Sequence, residues 1–182
     1  MDNSTHDTQQ IDTSQPSSHN ERGMTHQSAK HKNSYRNLLW MMILSFLSMY
    51  ILMYAMVDRL ENVIPNVNQF YMAGLMTAPM LIFELLLMKS MYPNKKLNTF
   101  LLATGAALLI GFWLAIRTQA VVGDTQFLKS MIPHHAGAIL MVEEAELSDP
   151  DVKKLGKEII QTQLEEIRVM KEKIKELEQN TK

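Results

Sequence analysis

The sequence predicts an all-α membrane protein of 182 residues: three transmembrane helices followed by a soluble helical hairpin. Three observations predict it. Three apolar runs follow one another between residues 37 and 117, each about long enough to cross ~30 Å of hydrocarbon. Beyond them, apolar positions recur at alternating spacings of three and four, the period of a packed helix. The stretch "SDPDVKKL" carries the signature of a helix start. On these grounds the chain divides at residues 1–35, 36–117 and 118–182.

Composition narrows the function classes. The chain is 46% apolar and nearly neutral, with 18 Lys+Arg against 19 Asp+Glu. That balance makes no electrostatic case for nucleic acid. There are no cysteines, so disulfides, cysteine zinc sites and thiol nucleophiles are excluded. Methionine is the anomaly, at 15 residues.

Residues 1–35 are rich in Ser, Thr, Gln, Asn and His. Apolar residues are too few there to offset the entropy of ordering, which predicts a disordered tail. No apolar run lies near Met1, so it is not a secretory signal. His6, His19, His26 and His31, with Met24, could hold a metal loosely, but their irregular spacing gathers them on no single face. A solvated tail is the simpler account.

The apolar runs are Asn37 to Val57, Phe70 to Met88 and Thr99 to Ile116. Helices are the form in which a single segment satisfies its own backbone in lipid. Trp40, Tyr54, Phe70, Tyr71, Tyr92 and Trp113 near the run ends suit interfacial anchoring. Lys30, Lys32 and Arg36 precede the first run, Arg59 stands alone in the first loop, and Lys89, Lys95 and Lys96 occupy the second. That bias predicts a multi-pass protein of the cytoplasmic membrane, with its N-terminus inside and residues 118–182 outside.

In the hairpin, a first helix runs from about Asp124 to Leu147, with Pro133 starting or kinking it. The second opens with Ser148 or Asp149 as cap, Pro150 in the first turn and Asp151 favouring the dipole. Its apolar seam reads Val152, Leu155, Ile159, Gln163, Glu166, Met170, Ile174 and Leu177. Gln163, Glu166 and Met170 lie within about 60° of one another, so polar groups stand where hydrophobes are expected. A buried carboxylate needs a partner.

That partner is expected in "MIPHHAGAILM". On a helix, Met131, His134, His135, Ala138 and Met141 spread over about 120° of one face. Folding the hairpin could set this face against Gln163, Glu166 and Met170, forming a pocket of imidazole, thioether and carboxylate. Thioethers favour Cu(I), and without a thiolate the set points to copper more than zinc. Two plainer readings stand beside it. Methionine is a common gap-filler, and a His–Glu ion pair would satisfy both groups without metal. Gln163 could simply hydrogen-bond a backbone group or its symmetry mate in a second copy.

The membrane runs pose a similar choice. Met42, Met49, Met53 and Met56 share about 60° of the first helix. The second carries Met72, Met76, Met80, Glu84 and Met88 at intervals of four. An ionisable residue in such a run usually faces the protein interior or a water path. A thioether path for Cu(I) through Met76, Met80 and Glu84 is one account. Ordinary packing, with Glu84 bonded to a neighbouring helix, is the favoured one.

"FLKSMIPHHAGAILM", followed by "LGKEIIQTQLEEIRVMKEKI", resembles the domain of unknown function 305 family. Its M-x-P-H-H-x-x-A-I-x-M and Q-x-x-E-I-x-x-M patterns fall on Met131, Pro133, His134, His135, Ala138, Ile139, Met141, Gln163, Glu166, Ile167 and Met170. The resemblance covers about residues 124–175. It implies a ferritin-like helical bundle and an extracytoplasmic copper-binding protein linked to copper resistance. "QFYMAGLMTAPM" and "MYPNKKLN" resemble membrane-bound members. Longer members carry two hairpins, whereas this chain has one. A lone hairpin has little core, so the expectation is a four-helix bundle formed by dimerisation, the metal site lying between copies. Packing of the hairpin on the membrane helices is the alternative.

The resulting expectation is a non-enzymatic, membrane-anchored copper protein. His134, His135, Met131, Met141, Met170 and Glu166 would be ligands, with Gln163 behind them. It would sequester Cu(I) or hand it to an exporter or chaperone. An oxidase is disfavoured, because neither histidine has the Glu-x-x-His spacing of di-iron bundles. Hydrolysis lacks an ordered Ser-His-Asp set. A structural or oligomerisation module, or a subunit of a metal transporter, remains the alternative.

Overall fold

The computed structural model describes residues 19–180, with side chains described from residue 33. Five α-helices, and no strand among the described residues, make up the chain: α1 (His19–Leu52), α2 (Val67–Leu87), α3 (Lys95–Thr118), α4 (Asp124–Glu144) and α5 (Pro150–Asn180). Helix α1 tightens into a 3₁₀ turn at Met53–Met56.

Three helical segments, Asn33–Met56, Val67–Leu87 and Lys95–Thr118, are long and apolar enough to cross a membrane. One difference from the sequence reading lies upstream. Helix α1 begins at His19, inside the segment assigned to a disordered tail. Adding residues to an existing helix avoids the cost of nucleation, and Glu21, Arg22, Met24, Gln27, Ala29 and Lys30 are fair helix formers. His6 and the side chains of His19, Met24, His26 and His31 lie outside the described residues.

Helix α2 is the middle member of the three. It buries Ala73, Gly74, Thr77, Ala78, Leu81 and Leu85. Small side chains allow helices to approach closely where no hydrophobic force drives them together. A Cβ on Gly74 would stand 2.5 Å from the Phe112 ring, and one on Gly105 3.0 Å from Ile82. Leu39, Leu47, Ile51, Phe83, Phe100 and Ile110 stay exposed, forming an apolar surface of the kind a bilayer covers.

The two ends of this layer differ. At one end, Tyr35 donates to Asn98 at 2.7 Å, and Asn98 donates to the Tyr92 carbonyl at 2.7 Å. Tyr92 in turn donates to Glu84 at 3.0 Å. At the other end, the 53–66 segment and the 119–123 turn meet the hairpin. Asn66 caps α2 by accepting from Gln69 N–H at 2.9 Å. Tyr71 reaches the Ala120 carbonyl at 2.8 Å, and the Val67 N–H reaches Gln126 at 3.2 Å.

The hairpin folds as its caps direct. Asp149 accepts from the N–H groups of Asp151 and Val152 at 2.9 and 3.0 Å, leaving Pro150 to open α5. Pro133 neither starts nor breaks α4; it sits buried within it. Ile132, Ala136 and Ile139 of α4 pack with Ile167, Met170 and Ile174 of α5. Val57 and Ile64, from the segment after α1, close this cluster together with Leu128 and Met131.

The α5 seam differs by register from the one read in the sequence. Its buried and half-buried positions include Gly156, Ile160, Gln163, Ile167, Met170, Ile174 and Leu177. These alternate four and three without interruption. Val152 and Leu155 are exposed, and Ile167 replaces Glu166. Gly156 sets the register, because a Cβ there would lie 2.8 Å from Val142 Cγ1. Only a bare backbone lets α5 come that close to α4.

Candidate functional site

Neighbouring residues on a helix point about 100° apart, and α4 uses this to send its two histidines into different surroundings. The rings of His134 and His135 have centroids 6.1 Å apart. His135 is buried, and His134 is exposed.

His135 reaches α5. Its Nε2 lies 2.7 Å from Glu166 Oε2, and its Nδ1 lies 2.9 Å from the Met131 carbonyl. Both ring nitrogens therefore face oxygen acceptors. A lone pair becomes available for a metal only when one of these contacts breaks. Glu166 is not in the seam; its side chain is 48% exposed at the seam's edge and turns inward to His135. Phe127, Leu128, Met131, Val169 and Met170 surround the pair in an open cleft of about 360 Å³. Gln163 stands half-buried along the seam.

His134 turns the other way and makes no hydrogen bond among the described residues. It opens into a larger cleft, about 650 Å³, between α4 and the ends of α1 and α2. Met131 and Met141 of α4 line this cleft, as do Met53 and Met56 of the 3₁₀ turn and Met72 of α2. Gly137 keeps the wall tight: a Cβ there would lie 3.3 Å from the Met56 carbonyl oxygen. Asn66, Asn68, Gln69 and Ser130 supply polar but uncharged edges.

The six residues expected in one pocket thus divide between two. His134 and Met141 line the larger cleft, His135, Glu166 and Met170 the smaller, and Met131 borders both. Helical geometry separates adjacent positions whose sequence spacing suggests one face.

Met53 and Met56 were legible in the methionine stripe of the first apolar helix, and Met72 in the methionine series of the second, but not as neighbours of His134. Their signal was position, at the hairpin-side ends of two apolar helices. Met76 and Met80 are exposed, at 44% and 37%, and neither lines the cleft. Glu84 lies toward the opposite end of α2, paired with Tyr92. Burial and then this contact with Glu84 push the Tyr92 hydroxyl up to about 12, so it is the donor at neutral pH. The partner of Glu84 is thus a side chain of the segment between α2 and α3, not of a neighbouring helix.

No group of three or more His, Asp or Glu side chains suited to a metal forms among the described residues. What the larger cleft gathers is thioether sulfur and one imidazole. Soft donors of this kind suit Cu(I), whereas oxygen-seeking cations gain little from them.

The family model for the domain of unknown function DUF305 matches residues 114–181, spanning α4, α5 and the end of α3. An uncharacterized protein of Acanthamoeba polyphaga mimivirus is 35% identical over 136 residues, covering 73% of this chain and 88% of the viral protein. No solved structure matches the chain.

Proposed function

The chain belongs to the DUF305 family, and from that premise we propose a membrane-anchored copper-binding protein that takes up Cu(I) through His134, Met131 and Met141. It sequesters the ion or passes it to an exporter or chaperone, which makes its role copper tolerance by binding rather than by catalysis. One observation carries this reading: the His134 imidazole, free of hydrogen bonds among the described residues, opens into a cleft walled by thioethers. His135, Glu166 and Met170 support it from the other side of α4, with His135–Glu166 holding the two hairpin helices in register.

In this reading the three apolar helices cross the cytoplasmic membrane, the N-terminus lies inside, and the hairpin lies outside. Lys89, Lys95 and Lys96 at the end away from the hairpin support that sense, against Arg59 alone in the first loop. Two copies pair through the hairpins into a four-helix bundle. Phe127, Leu164 and Val169, exposed on α4 and α5, are apolar surface available to a second copy.

The test is Cu(I) titration of the full-length protein in detergent, wild type beside His134→Ala/Met141→Leu, with oligomeric mass followed throughout. We expect at least about a tenfold loss of affinity, or ~1.4 kcal/mol, with the mass of a dimer in both. Equal affinity in the two proteins would remove the copper reading. It would leave the alternative that the formed His135–Glu166 pair favours, a structural module whose hairpin clamps the 53–66 segment.

A further inference from the structure

Resting on the copper reading, we propose that the hairpin supplies only half of the metal site, and that Met53, Met56 and Met72 complete it. A soft monovalent cation would then sit at the junction between the apolar helices and the hairpin. These three residues lie outside the 114–181 segment that the family model matches.

The backbone prepares them for it. Helix α1 changes from α to 3₁₀ geometry after Leu52, so the turn holds Met53 through Met56. With three residues per turn, side chains at i and i+3 eclipse, about 6 Å apart along the axis. In an α-helix the same pair would diverge by about 60°. The change of geometry therefore brings the side chains of Met53 and Met56 off the same side of the chain at the end of α1. Both line the cleft that His134, Met131 and Met141 border from α4, and Met72 of α2 closes it from a third side.

Met56, Met72 and Met141 are not filling a core. Met56 is 53% exposed, Met141 55% and Met72 37%. Their side chains line open space of about 650 Å³. No Asp, Glu, Lys or Arg lines that space. A neutral, sulfur-rich site favours a soft monovalent ion over a divalent ion that seeks carboxylate oxygen. Five thioethers and an imidazole also exceed what one small cation binds at once. The two walls can hold the ion in overlapping ligand sets, so that it shifts between hairpin and membrane face without release to water. Gly137, which brings α4 against the Met56 carbonyl, keeps the walls within reach.

The experiment uses full-length protein in detergent. Cu(I), and Ag(I) as a redox-inert substitute, are titrated in competition with a colorimetric Cu(I) chelator, with Zn(II) as control. Wild type is compared with Met53→Leu/Met56→Leu/Met72→Leu and with His134→Ala/Met141→Leu. Leucine is close to methionine in volume, so the fold is retained. We expect each variant to bind Cu(I) and Ag(I) at least tenfold more weakly. We also expect weak Zn(II) binding throughout, and fewer sulfur neighbours in the copper-edge X-ray absorption of the triple-leucine protein. Wild-type affinity and sulfur count in that protein, with binding lost in His134→Ala/Met141→Leu, would overturn this inference and leave the hairpin reading standing. Wild-type affinity in both variants would remove both. Should the triple variant fail to fold, Met72→Leu alone decides by the same sulfur count.

Discussion

His134 and His135 are adjacent in sequence and opposite in circumstance. His135 directs its two ring nitrogens at oxygen acceptors, Glu166 and the Met131 carbonyl, and is buried. His134 is exposed and unbonded among the described residues. The two substitutions should therefore separate stability from binding. His135→Ala removes a buried side chain and leaves Glu166 without its partner, a loss of about 2 kcal/mol. Thermal unfolding of the full-length protein should show it as a lowered midpoint, with Cu(I) affinity unchanged. An unchanged midpoint with lost affinity would instead place His135 among the ligands.

At the scale of elements, close approach decides the packing. Gly156 sits where α5 meets Val142, and Gly74 sits where α2 meets Phe112. Replacing Gly156 with alanine sets two effects against each other. Helix propensity improves by about 1 kcal/mol. The new Cβ lies 2.8 Å from Val142 Cγ1, and forcing atoms into a packed interface costs about 1–3 kcal/mol. Valine is stiff at χ1 and cannot swing clear, so the clash wins. Gly156→Ala should lower the unfolding midpoint and quicken hydrogen exchange in α4 and α5; a raised midpoint would show that the hairpin absorbs the methyl group.

Across the whole molecule, the hairpin depends on the segment between α1 and α2. Val57 and Ile64 pack against the cluster formed by Ile132, Ile139, Ile167, Met170 and Ile174. A two-helix unit buries too little apolar surface to be stable alone, and this segment covers a third side. Placing carboxylates there, as Val57→Asp/Ile64→Asp, puts charge against an apolar cluster without a partner. Hydrogen exchange should then rise through α4 and α5 while the α2–α3 contact stays protected. Protection retained in the hairpin would mean that pairing with a second copy suffices to hold it.

What the sequence determined by itself is local. The three apolar runs, the Asp149 cap with Pro150 behind it, and the helical period of residues 124–177 depend on neighbours a few positions away. Length, capping and period report such relations directly. The identity of the candidate residues was legible for the same reason: His134 and His135 are the histidines outside the N-terminal segment, and methionine is abundant around them. What the tertiary structure decided is which of these residues meet. Glu166 and Ile167 are adjacent, and the contact of Gly156 with Val142 is what turns Ile167 into the seam. Met53, Met56 and Met72 line one cleft with His134 from positions more than 60 residues away because the 53–66 segment and the start of α2 both meet α4. Period and spacing along a chain carry no record of such encounters, which follow from how closely whole helices can approach.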